Sequence, residues 1–272
     1  MEAYSITITP MKWPKNQQLK LKLYLEQPVL RGDTLGSLHG LILQYLPQWG
    51  SELRAAKNED VKKMVSITTD DDIGDVIQRV APPRQGFGVR SAVLKGSYNN
   101  IRIYLDHCDE TLPPELNFIA VELHRQTAVE GRQPSEWARG FFEALVSSLP
   151  VRYGRANLNA EFDAKNLISD AEGLRAVGVK LDVSLPGLYW LNYFGEPYVK
   201  LIGEDRLLSA PAYEVKRVGG GVLIALDASP LNWQLAPYKD REEEMIDHLG
   251  RGFFFSKDEP GRRLTAPDFR AR

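Results

Sequence analysis

One set of residues has the types and spacing that metal-dependent hydrolysis requires. Glu214 and Lys216 lie two positions apart in a segment that the sequence predicts to be a strand, and Asp205 precedes them. Side chains two apart on a strand point to the same side of a sheet, so the Glu214 carboxylate could hold Mg²⁺ beside the Lys216 ammonium group. With Asp205 as a further carboxylate, this D…ExK pattern is compatible with a metal-dependent nuclease.

A structural interpretation of this set is simpler. Glu-x-Lys spacings arise readily by chance, and exposed ion pairs contribute little to stability. The proline that often precedes the aspartate of D…ExK nucleases is absent, and a formal net charge of -2 gives the chain no overall attraction for nucleic acid. We therefore expect a solvated salt pair and no enzymatic activity, with a nuclease built on Asp205, Glu214 and Lys216 as the alternative.

The histidine and cysteine residues form no pattern typical of a metal site or a redox centre. The four histidines are scattered, without a second His or Cys at metal-ligand spacing. Cys108 is the single cysteine, so no intrachain disulfide and no CxxC motif can form. His107 adjoins it on a predicted strand end, where neighbouring side chains point to opposite faces and cannot easily share a proton. We expect no cofactor and no metal ion.

Two groups of acidic residues could bind a cationic partner. In a helix predicted over 237–249, four carboxylates recur at i, i+3, i+4 and i+7 and so share one face: Asp240, Glu243, Glu244 and Asp247. A second group precedes a helix predicted over 73–80: Asp70, Asp71 and Asp72. The plain interpretations are a solvated helix face and carboxylates that complement a helix dipole. The functional interpretation is that one or both groups face a cationic cleft and speed association with it.

Two aromatic residues close to the acidic helix are candidates for an interface. Trp233 and Tyr238 lie in a proline-containing segment that leads into the helix. Because Trp and Tyr are enriched among the residues that dominate binding energy, we predict that these two are exposed anchors. The aromatic run at 188–194 has a different expected role, since contiguous apolar surface of that size is normally buried in a core.

Short strands interspersed with helices are predicted along the chain. Apolar residues alternate with polar ones in the strands and recur every third or fourth residue in the helices. The predicted strands are 4–9, 19–25, 87–95, 101–106, 116–123, 157–162, 213–218 and 222–226. The predicted helices are 34–46, 73–80, 134–149, 170–176, 197–201 and 237–249. The order lacks strict βαβ alternation, which favours an α+β fold with a largely antiparallel sheet and helices packed on it.

The aromatic run and the segments after it also carry a family resemblance. The residues concerned are Gly187 to Gly195, then Tyr198, Val199, Ile202 and Gly203, the turn at Gly219, Gly220 and Gly221, and the apolar run Val222 to Leu226. From the residues alone, we expect the three glycines to supply the positive φ values of a tight turn. The pattern as a whole resembles the immunity protein 52 family, whose members accompany secreted polymorphic toxins.

The resemblance implies a type VI secretion immunity protein paired with a DNase toxin of the restriction-endonuclease type. The expected function is to bind and neutralise that cognate toxin, which protects the producer and its kin. Blocking the active site of the toxin and binding elsewhere on it are both compatible with this role. A non-enzymatic adaptor without a toxin partner is a further alternative.

The composition is that of a globular protein, with 43% hydrophobic and 26% charged residues in a chain of 272. The N-terminal segment carries an acid at position 2 and alternates polar with apolar residues, unlike a signal peptide. No apolar run approaches the roughly 20 residues of a membrane span. We predict a cytoplasmic protein with a single α+β domain over 1–255, or with an internal boundary near 108–115, and a polar, partly disordered tail over 256–272.

Overall fold

The computed structural model of the chain describes residues 18–27, 33–47, 53–57, 64–67, 73–80, 90–95, 101–107, 116–123, 132–171, 173–259 and 261–269. Several predictions lie outside these residues: the strand at 4–9, the acidic group Asp70, Asp71 and Asp72, the single cysteine Cys108, and the boundary near 108–115.

Short strands alternate irregularly with helices along the described chain. The strands are β1 (Leu19–Leu25), β2 (Arg54–Lys57), β3 (Val65–Ser66), β4 (Arg90–Lys95), β5 (Ile101–His107), β6 (Phe118–Leu123), β7 (Val151–Leu158), β8 (Leu167–Asp170), β9 (Gly173–Ala176), β10 (Leu191–Phe194), β11 (Glu214–Val218) and β12 (Gly221–Ala225). The helices are α1 (Thr34–Tyr45), α2 (Ile73–Val80), α3 (Pro134–Ser148), α4 (Asn159–Asn166), α5 (Glu196–Ile202), α6 (Glu204–Leu208) and α7 (Ala236–Leu249).

One ten-stranded sheet organises the fold. Its order is β11-β12-β10-β7-β1-β6-β5-β4-β2-β3, while β8 and β9 form a separate hairpin. Adjacent strands pair antiparallel throughout. The α+β class with a largely antiparallel sheet is therefore confirmed. β6, which is largely apolar, lies inside the sheet between β1 and β5.

The sheet carries an apolar core on each side. Adjacent residues of a strand point to opposite faces, so Leu23 of β1 enters one core and Tyr24 enters the other. The first core also takes buried residues of α1, α2 and α3. The second core takes buried residues of α5, α6 and α7. The aromatic run at 188–194 is buried as expected and supplies both cores.

Five of the predicted helices are confirmed within one or two residues at each end, namely α1, α2, α3, α5 and α7. Two of these helices end at a glycine. Gly203 ends α5 and Gly250 ends α7, with φ values of 98° and 111° that residues with a Cβ rarely adopt.

Two predictions between 151 and 176 are wrong. The segment 157–162 is not a strand: β7 ends at Leu158, and α4 begins at Asn159, where Glu161 and Lys165 form an i,i+4 ion pair. The alternation of apolar and polar residues over 157–162 is therefore a coincidence at the point where a strand ends and a helix begins. The helix expected at 170–176 is instead the β8–β9 hairpin, in which Gly173 has a φ of 106° that an α-helix does not contain.

The glycine turn between β11 and β12 works differently from the prediction. Only Gly219 of the three has a positive φ, at 55°. Gly221 is needed for space instead, because an added Cβ would lie 2.3 Å from the carbonyl oxygen of Phe194 on β10. Gly219 is thus needed for its positive φ, and Gly221 is needed because the backbone of β10 leaves no room for a side chain.

The C-terminal segment contacts the body of the fold up to Phe269. Lys257 donates from Nζ to the backbone oxygens of Ala164 and Leu167, at 2.8 and 2.5 Å, at the end of α4. The ring of Phe269 lies 6.0 Å from the ring of Tyr198, and the Arg152 guanidinium lies 4.6 Å from its centroid. Contacts that include Lys257 and Phe269 therefore attach the described part of the polar tail to the body of the fold.

Candidate functional site

The helix α7 presents an acidic surface, as its spacing predicts. Four of its carboxylate residues are exposed, and we call them the acidic face: Asp240, Glu243, Glu244 and Asp247. The opposite side of α7 is buried in the second core through Tyr238, Met245 and Leu249. A helix fixed along one side and charged along the other projects its carboxylates into solvent in a set order.

Half of the acidic face is partly neutralised by a residue that the sequence analysis missed. Arg251, just beyond Gly250, donates to Glu243 at 2.9 Å and to Asp247. The hydrogen bond from Arg251 lowers the pKa of Asp247. Within the described part of the chain, neither Asp240 nor Glu244 has an ion-pair partner within 4 Å. Four carboxylates against one guanidinium leave the surface clearly anionic.

Tyr238 is not an exposed anchor, and that prediction is wrong. Its ring is fully buried, and its hydroxyl donates to the Glu161 carboxylate on α4 at 2.7 Å. Burial, and then the nearby Glu161 charge, raises the pKa of Tyr238 well above its usual value, so the phenol keeps its proton and remains a donor. Position 238 falls on the inner side of the helix, which explains its role as a support rather than a contact.

Beneath the acidic face, an ionic cluster joins α7 to α4. The Lys165 ammonium group binds Glu161 at 2.8 Å, Glu242 at 2.7 Å and the backbone oxygen of Leu188 at 2.6 Å. Burial raises the pKa of Glu242, against the opposing effect of Lys165. These bonds fix α7 to α4 and to the segment before β10, and so hold the helix that carries the acidic face.

Trp233 lies at the entry to α7 and is only partly exposed. Its ring packs against the edges of both cores. Leu235, two residues further on, keeps 53% of its surface exposed at the N-terminal boundary of the helix. The apolar surface beside the acidic face is therefore shared between Trp233 and Leu235, and the second of these was not singled out from the sequence.

Two residues of the D…ExK set, Glu214 and Lys216, bind each other and also bind partners on α3. Glu214 and Lys216 point to the same side of β11, with Nζ 3.5 Å from a Glu214 oxygen. Glu214 also accepts a hydrogen bond from Arg139, which lowers the pKa of its carboxyl group, and Lys216 donates to Glu143 at 2.5 Å. Together these pairs connect α3 to β11.

Asp205 lies exposed on α6. In the described part of the chain, no hydrogen bond or ion pair joins its carboxylate to Glu214 or Lys216. Among the residues that the structure describes, no group of three His, Cys, Asp or Glu side chains could together hold a metal ion.

Within the described ranges of the chain, no helix has the length and apolar character needed to cross a bilayer.

Comparisons with known proteins give a distant structural likeness. No protein-family model matches the chain, and no curated protein matches it significantly. Among solved structures, the chain is similar to the Pseudomonas aeruginosa T6SS protein PA0821, with 12% sequence identity and a TM-score of 0.43. The alignment covers 91% of this chain and 86% of that chain. A likeness of this strength assigns no function.

Proposed function

We propose that this chain is an immunity protein that binds and neutralises a cognate type VI secretion nuclease toxin. The support comes from the resemblance of residues 187–203 and 219–226 to the immunity protein 52 family, and from the acidic face of α7. The resembling residues form β10, α5, the turn at 219–221 and β12, and every residue of β10 and β12 is buried. They are therefore framework, and the acidic face is the proposed contact surface.

The mechanism that we propose is electrostatic occlusion. A nuclease must carry cationic surface to bind the phosphates of DNA. The exposed carboxylates of α7 would enter that cleft, speed association and exclude the substrate. Asp240 and Glu244, which no guanidinium of the described chain neutralises, are the two most available for a partner. Asp70, Asp71 and Asp72 remain predicted contacts.

The apolar part of the proposed interface lies at the start of α7. Trp233 and Leu235 would pack against the toxin next to the carboxylates, where a partly exposed aromatic ring gives contact area at low entropic cost. Tyr238 contributes indirectly by fixing the helix. This division fits an interface with an apolar centre and a charged rim.

The proposed inhibitor needs no chemistry of its own. Binding to the toxin protein requires no catalytic residue, no cofactor and no contact with nucleic acid or membrane. We place its action in the cytoplasm, where an antibacterial nuclease would reach the chromosome of the producer.

Co-expression tests the proposal. The chain should restore growth to cells that make the nuclease toxin encoded beside its gene, and the two purified proteins should elute as one complex. Toxin-induced death at the same rate, with no complex, would contradict the proposal. Mg²⁺-dependent DNA cleavage by the purified chain alone would favour the nuclease alternative instead.

A further inference from the structure

Two cationic side chains lie directly opposite each other in the middle of the sheet. Lys22 of β1 is the cross-strand partner of Arg155 of β7. Side chains at such positions share one face of the sheet, with Cβ atoms about 5 Å apart. Like charges in this arrangement are destabilising unless another group offsets them.

Arg155 is buried without a charged partner. It is only 3% exposed, and its guanidinium carbon lies 4.3 Å from the Phe162 ring centroid and 4.8 Å from that of Tyr189. One terminal nitrogen donates to the side chain of Asn157. The Nε atom is buried and has no hydrogen-bond partner. Leaving a donor of a buried guanidinium unpaired is costly, which makes it an indicator of an absent acceptor.

Lys22 also lacks a charged partner among the described residues, but it is closer to solvent. Its ammonium group lies 3.7 Å from the Phe118 ring centroid and 4.8 Å from that of Tyr24. Burial lowers the pKa of Lys22, and the charges of Arg155 and Lys20 lower it further, while Tyr24 opposes the shift. Both Lys22 and Phe118 keep part of their surface exposed, whereas Arg155 is buried, so a ligand would have to enter from the Lys22 side.

The neighbouring carboxylates are bound to other groups. Glu122 pairs with Lys20 at 2.6 Å, and Glu161 binds Lys165 and Tyr238. In the described part of the chain, no carboxylate lies within 4 Å of the charged nitrogens of Lys22 or Arg155.

The Tyr24 hydroxyl lies close to both cations. Its burial acts to raise the pKa of Tyr24, but Lys22 and Arg155 outweigh that effect and the net pKa is lowered. A neutral phenol offsets two positive charges less well than an anion does.

We propose that Lys22 and Arg155 form a binding site for an oxyanion, either a phosphate or a carboxylate group. The anion would accept from the unpaired Nε of Arg155 and from the Lys22 ammonium group, with Tyr24 as a neighbouring donor. Guanidinium and ammonium groups placed together bind such anions strongly because the bonds are charge-assisted. This site lies on β1 and β7 and is independent of the function proposed for α7.

Thermal unfolding in matched salts tests the site. Sodium phosphate, sodium acetate and sodium chloride are compared at pH 7 and equal ionic strength. In the wild-type chain, phosphate or acetate at ten times its Kd should raise the unfolding midpoint by about 3 to 5 °C over chloride. A rise in phosphate alone assigns a phosphate site, and a rise in acetate alone assigns a carboxylate site. No rise in either salt would overturn the proposal.

In the variant Lys22→Met, phosphate or acetate should no longer raise the unfolding midpoint above its value in chloride. Its midpoint in chloride should not fall, because the substitution removes a charge that faces Arg155. Lys20→Met is the matched control, since Lys20 lies on the same face of β1 but already has Glu122 as its partner. It should keep the rise of the wild type. An equal rise in Lys22→Met would reveal a general salt effect and overturn the proposal.

A measurement on the wild type alone provides a check that depends on no variant. The Nε–H resonance of Arg155 should shift in a saturable way during a titration with the salt that raises the midpoint. An unchanged Arg155 resonance during that titration would refute the assignment of the site.

Discussion

At the residue scale, Glu161 determines how α7 is attached. It is a fully buried carboxylate, and one of its oxygens accepts from both Lys165 and Tyr238 while the other has no partner among the described residues. A buried carboxylate is tolerated only where donors offset its loss of hydration. The two donors therefore stabilise the fold and orient the acidic face at the same time.

Substituting Tyr238 with Phe should destabilise the protein by about 1 to 3 kcal/mol, because Glu161 then loses a buried donor while the aromatic packing is kept. Urea unfolding followed by fluorescence measures the change. Tyr213→Phe is the matched control, since Tyr213 is 53% exposed and its loss should leave the unfolding free energy within about 0.5 kcal/mol. Equal losses in both variants would contradict this role of Tyr238.

Glu242 and Asp247 should give opposite pH dependences. Burial raises the pKa of Glu242, so the folded state binds its proton more tightly than the unfolded state does, and the wild-type stability relative to Glu242→Gln should fall as pH rises above about 4.5. The pKa of Asp247 is lowered by Arg251, so the stability relative to Asp247→Asn should rise as pH increases towards 3.8 and be retained above it. Unfolding free energies measured from pH 3 to 7 check both signs, and two slopes of the same sign would refute the assignment.

At the scale of secondary-structure elements, the periodicity of apolar residues predicted the strands and helices that bury one side. β1 and α7 each have one apolar side, and the sequence alone located both. β7 was missed because its polar residues, including Arg155 and Asn157, are buried as well. Arg155 packs against the rings of Phe162 on α4 and Tyr189 before β10, and no local pattern reveals these contacts. Arg251 was missed for the same reason, since its bonds to Glu243 and Asp247 depend on how the chain turns at Gly250.

The β11–β12 hairpin offers an element-scale test. Gly221→Ala should cost about 3 kcal/mol or more, because the new Cβ would collide with the Phe194 carbonyl and with Tyr193. Gly220→Ala is the control, since a Cβ there meets nothing within 4 Å and the residue has no positive φ. Thermal unfolding should separate the two variants by several degrees. Similar midpoints would contradict the close approach of Gly221 to β10.

At the scale of the whole molecule, the charge of α7 should govern how fast the protein meets its proposed partner. The variant Asp240→Lys with Glu244→Lys should slow association with the toxin roughly tenfold or more at low salt and flatten the dependence on ionic strength. Stopped-flow or surface-binding kinetics at several salt concentrations measure both effects.

A control with the same change in net charge separates local from global effects. Glu136→Lys with Glu196→Lys reverses two exposed carboxylates on α3 and α5. This variant should associate at nearly the wild-type rate. Equal slowing in both double variants would show that overall charge, rather than the acidic face, governs association.

The central claim is that this chain inhibits a nuclease by occupying it. Its most direct test is DNA cleavage by the purified cognate toxin while the chain is added in increasing amounts. Cleavage should fall linearly and stop at a fixed stoichiometric ratio, with no DNA degraded by the chain alone. Undiminished cleavage at a molar excess of the chain would contradict the account.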